Sequence, residues 1–73
     1  MKVNVLKLKG AIVGAGFTQQ QISKALGMDK STFSRKMKHD ALEFSVREVH
    51  QIASLLSLNK SDLAEIFLSD NSH

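Results

Sequence analysis

The chain has 73 residues, a net charge of +3, 42% hydrophobic and 23% charged residues, and no cysteine. These values fit one small globular domain and exclude a disulfide framework, a thiolate metal site and a disordered chain. The longest apolar run, AIVGAGF, is too short to span a membrane, and Lys2, Lys7 and Lys9 interrupt the first segment too early for a signal peptide, so a cytoplasmic protein is expected.

One pattern recurs along the chain: an apolar residue, a capping residue, three polar or variable residues, and a second apolar residue. It reads FTQQQI at 17–22, MDKSTF at 28–33, FSVREV at 44–49 and LNKSDL at 58–63, with VNVLKL at 3–8 as a looser copy. Each copy predicts a helix start, in which the cap oxygen takes an orphan backbone N–H and the apolar pair clips the entering chain. Thr18 with Gln21 and Ser45 with Glu48 also fit reciprocal capping boxes.

The first helix is expected over 4–15, ending at a left-handed Gly16, with Leu8, Ile12 and Ala15 on its inner face. Gly10 and Gly14 lie inside it, at a spacing that permits close backbone packing. No strand precedes them and no Gly-Lys-Ser/Thr follows, so they do not form a phosphate loop. The second helix is expected over 19–26 and the third over 30–38, joined by a tight turn at Gly27, Met28 and Asp29. A turn this short, with a glycine, makes two helices cross steeply in a helix-turn-helix. Asp29 is expected to cap the third helix. Phe33 and Met37 mark its buried side, while Ser31, Arg35 and Lys38 point the other way. The fourth helix is expected over 46–57 and the fifth over 60–68, with residues 69–73 as a flexible tail beyond a domain of 1–68. No segment reads as a strand, so the fold class is all-α.

Charge is divided unevenly. Residues 1–38 carry eight Lys/Arg and one acid, and residues 39–73 carry two Lys/Arg and six acids. A basic half containing the third helix points to a polyanionic partner. His39, His50 and His73 are scattered without ligand spacing, so no metal is expected. The serines belong to no nucleophile motif and no acid pair stands out as acid/base machinery, so no enzyme, cofactor or small-molecule ligand is expected.

The stretch TQQQISKALGMDKSTFSRKMK resembles the helix-turn-helix of the Cro/repressor-type, lambda-repressor-like DNA-binding proteins of phages and bacteria. Gln19, Ile22, Ser23, Leu26, Gly27, Met28 and Phe33 match its motif at the right spacing, and 44–67 is similar to the family's fourth and fifth helices. The resemblance implies a compact five-helix domain that occupies an operator in double-stranded DNA as a small Cro-like repressor. Antitoxin, excision-accessory and anti-repressor roles on the same scaffold are the alternatives. It further implies that Lys30, Ser31 and Arg35 face bases, that Thr32 and Ser34 meet bases or phosphates, and that Gln19, Lys38 and His39 hold phosphate. Two positions depart from the motif. Ser23 stands where Ala is usual, and its hydroxyl should bond a carbonyl one turn back. Lys36 stands where an apolar residue is usual; it should lay its stem along the core edge, keep its ammonium in water and join the DNA contacts. A homodimer is expected through apolar surface at Ile66, Phe67 and Leu68 on the fifth helix.

Overall fold

The computed structural model describes residues 3–38 and 43–67. They form five helices and no strand: α1 (Val5–Gly14), α2 (Gln19–Ala25), α3 (Lys30–Met37), α4 (Val46–Leu56) and α5 (Lys60–Phe67). Every end lies within one residue of its expected position. His39, Leu68 and the expected tail lie outside the described residues. No helix among the described residues is long and apolar enough to cross a membrane.

The helix starts follow from their caps. Asn4, Thr18, Ser45 and Asn59 each accept a hydrogen bond, at 2.7–3.1 Å, from the backbone N–H three residues on. Both capping boxes close, with Thr18 N–H donating to Gln21 and Ser45 N–H donating to Glu48, each at 2.9 Å. The apolar residues flanking all five caps, from Val3 and Leu8 to Leu58 and Leu63, are in the core or packed against it. Each staple therefore fixes a helix start and adds to the core.

Three helix ends share one geometry. Gly16, Gly27 and Ser57 are left-handed, with φ of 83°, 76° and 54°. The next residue's N–H reaches five positions back: Phe17 to Ile12, Met28 to Ser23, and Leu58 to Ala53, at 2.9–3.0 Å. This is the Schellman closure. Phe17, Met28 and Leu58 are also the apolar residues that open the following staples. One side chain thus closes one helix and clips the next, which keeps these connections short.

The core gathers Leu8 and Ile12 from α1, Ile22 from α2, Phe33 and Met37 from α3, Val49, Ile52 and Leu56 from α4, and Ile66 and Phe67 from α5. Burying each large side chain contributes about 1.5–3 kcal/mol. Phe44, just before α4, joins distant elements. Its ring lies 5.5 Å from Phe33 at 59° and 6.0 Å from Phe67 at 87°, within the favourable range for tilted aromatic pairs. At the other side, Asn4 N–H donates to the Ile66 carbonyl at 2.7 Å, and Lys7 pairs with Glu65.

Two sequence-based expectations change here. Ile66 and Phe67 are only 2% and 1% exposed, so neither offers apolar surface to a second copy. Adjacent apolar residues at a helix end cannot all face one way by periodicity, yet the chain turns both of these inward. Gly10 and Gly14 support no close packing within the described chain, because a Cβ on either would meet nothing within 4 Å.

Candidate nucleic-acid interface

Two short helices and their turn hold the candidate surface. α2 ends at Ala25 and α3 begins at Lys30, so residues 26–29 make the whole connection. Gly27 takes the left-handed conformation that L side chains resist, and Gly27 N–H closes onto the Lys24 carbonyl at 3.0 Å. Ser23 is 1% exposed. Its hydroxyl donates to the Gln20 carbonyl at 2.9 Å, which satisfies the buried oxygen as expected.

α3 has one anchored side and one open side. Phe33 and Met37 are buried, at 0% and 1% exposure. Lys30, Ser31, Arg35 and Lys38 are exposed, while Thr32 and Ser34 are half-buried on the flanks. Gln19, the first residue of α2, is also half-buried. Lys24, Lys30 and Lys38 form no ion pair among the described residues. The open side therefore offers hydroxyl, ammonium and guanidinium donors on a helix about 12 Å long, of a size that enters a DNA major groove.

The start of α3 differs from the other four. Asp29 is at the capping position with extended backbone, φ −72° and ψ 154°, but its side chain makes no cap hydrogen bond. This corrects the expected cap. The first-turn amides of α3 are left to solvent or to an anion, and the helix dipole favours negative charge there. The Asp29 carboxylate itself remains exposed beside them.

Lys36 also departs from expectation. Its ammonium donates to both oxygens of Glu48, at 2.8 and 2.9 Å, with the two side chains 17% and 18% exposed. The ammonium is paired rather than wet, and Lys36 is committed to α4 rather than to the open side. Glu48 is the acceptor of the α4 capping box as well. Burial by itself would raise the Glu48 pKa, but the Lys36 ammonium and the Ser45 amide together hold it below the usual glutamate value. Glu48 was recognisable in the sequence as a box residue. Its partner was not, because the pairing crosses from one helix to another.

Lys24 was not singled out from the sequence either. It borders a shallow recess at the turn together with Gly27, Met28, Asp29 and Thr32, placing a further cation beside the start of α3. Its position in the last turn of α2, four residues before the motif's Met28, was the available signal. Comparison with protein-family models, curated proteins and solved structures gives no match for this chain.

Proposed function

We propose that the chain is a sequence-specific DNA-binding regulator, a small Cro-like repressor that lays α3 in the major groove of its operator. On this reading α2 and α3 form a helix-turn-helix within a lambda-repressor-like domain. The observation that carries it is the open side of α3, where Lys30, Ser31, Arg35 and Lys38 are exposed over the buried anchors Phe33 and Met37. The uncapped amides at the start of α3 support it further, since they suit a phosphate oxygen. Arg35 reads a base edge with its planar fork, Lys30 and Ser31 face bases beside it, and Lys38 and Gln19 hold the backbone. Lys36 leaves the contact set and braces α3 against α4 instead.

The test begins with selection of bound sequences from a random duplex pool, followed by affinity measurements across salt. Specific binding should weaken steeply as salt rises, through release of counterions from neutralised phosphates. Arg35→Ala should lose about 1–3 kcal/mol at the selected site and relax preference at one base pair. Lys38→Ala should weaken all sequences alike and flatten the salt dependence. Absence of binding to any duplex at low salt would overturn the reading. Uniform weakening by Arg35→Ala would instead make Arg35 a phosphate contact.

A further inference from the structure

Lys36 and Glu48 make a join between α3 and α4 of a kind that apolar packing does not supply. Phe33 and Met37, the buried anchors of α3, are four residues apart and lie on one line along the helix. Contacts on a single line fix where a short helix lies but hold its roll about that line weakly, because apolar burial is non-directional. The Phe33 ring also meets Phe44 at the entry to α4, and that contact is apolar too. Lys36 precedes Met37 by one residue, about 100° around the helix, so it stands off the line. Its ammonium donates to both Glu48 oxygens, at 2.8 and 2.9 Å. Such charge-assisted hydrogen bonds are short and strong. The acceptor is itself fixed. Glu48 Oε1 also accepts the Ser45 N–H at 2.9 Å, which ties the carboxylate to the first turn of α4. Both side chains are largely shielded, so salt screens the pair less than an exposed one.

We propose that Lys36 and Glu48 are positioning residues that set the roll of α3 and, through it, the base discrimination of the open side. The inference rests on the DNA reading above. A helix with its side chains is about 10–12 Å across, so a roll of about 10° about the buried line moves the far side by about 2 Å. Ser31 and Arg35 are exposed on that far side. A hydrogen bond tolerates a spread of only about 0.5 Å in length, so the roll decides whether a base edge is read. The flexible stem of a lysine on a phosphate adapts to the same shift. The pair therefore governs which sequence is preferred, and not how firmly DNA at large is held. Removing both partners together costs little stability, since apolar or neutral residues of similar volume often replace a buried ion pair without loss.

The double variant Lys36→Met with Glu48→Gln separates discrimination from stability and from charge. Methionine keeps an apolar stem at the core edge, glutamine can still complete the capping box, and one charge of each sign is lost, so the net charge is unchanged. Its melting temperature should equal or exceed that of the parent chain. Its affinity for mixed-sequence duplex should stay within about twofold across salt. Its preference for the selected operator over a change at the base pair read by Arg35 should fall at least about tenfold. Lys36→Arg, which can still donate to both carboxylate oxygens, should keep most of that preference. Without DNA, residual dipolar couplings of the backbone amides should fit one orientation of α3 against α4 in the parent chain and shrink across α3 in the double variant. A double variant that discriminates as the parent does, or keeps full couplings in α3, overturns the proposal and leaves the DNA reading standing. One that unfolds makes the pair a stability device and overturns it as well. A parent chain that binds no duplex overturns the DNA reading, and the discriminating role with it.

Discussion

Glu48 shows how much one side chain can join. Its carboxylate receives the Ser45 amide that starts α4 and the Lys36 ammonium that holds α3. Glu48→Gln separates these two functions, since glutamine still completes a capping box but carries no charge. A carboxyl held below its usual pKa adds stability above its unfolded-state pKa and loses it as pH falls through the depressed folded-state value. Stability to urea, measured from neutral to acidic pH, should therefore fall on acidification less steeply in Glu48→Gln than in the parent chain. Equal slopes would mean that another carboxylate governs the acid limb. Lys36 explains why this contact was illegible. A cation at an apolar motif position reads as a wet side chain unless its partner is known, and Glu48 lies on the next helix. The same limit applied at Ile66 and Phe67, whose inward direction depends on how α5 sits and not on residue type.

At the scale of the elements the sequence was far more transparent, because helix starts and two of the three left-handed ends are local. A cap, its box and its staple lie within six consecutive residues, so all five starts could be placed without tertiary information. Gly16 and Gly27 announced their turns because glycine is the residue that accepts positive φ. Ser57 gave no such signal, yet it has φ 54° and closes α4 in the same way. A non-glycine residue in that region carries about 1–2 kcal/mol of steric strain. Ser57→Gly should thus stabilise the domain by about 0.5–1 kcal/mol after glycine's larger unfolded-state entropy is counted. Ser57→Val should destabilise it, since a branched Cβ fits this conformation poorly. Thermal melts of the two variants check both directions.

Across the whole molecule, Phe44 has the widest reach. It stands between Phe33 of α3 and Phe67 of α5, and it is 4% exposed although it belongs to no helix. Phe44→Ala should destabilise the fold by about 3–5 kcal/mol. That is a large share of the total for a small domain, which has about 0.05–0.15 kcal/mol per residue. The expected result is a chain partly unfolded in dilute buffer, whereas Phe44→Leu should retain a cooperative urea transition. A small shift on Phe44→Ala would show that the ring fills a replaceable gap and not the junction of α3 with α5. The five-helix architecture was legible because staple and periodicity agreed everywhere. The three-ring junction was not, since its members are eleven and twenty-three residues apart in sequence.

The hydrogen bond from Asn4 to the Ile66 carbonyl has a consequence for the order of assembly. It unites positions sixty-two residues apart, so the floor beneath α1 is synthesised only after α2, α3 and α4. A nascent chain that has emerged only to residue 59 already contains all of α3 but lacks Ile66 and Phe67, on which the core closes. The helix that faces outward is thus made before the domain that holds it can stand. Chains truncated after residue 59 should give flat, uncooperative melts, and protection of α3 amides from exchange should appear only once α5 is present.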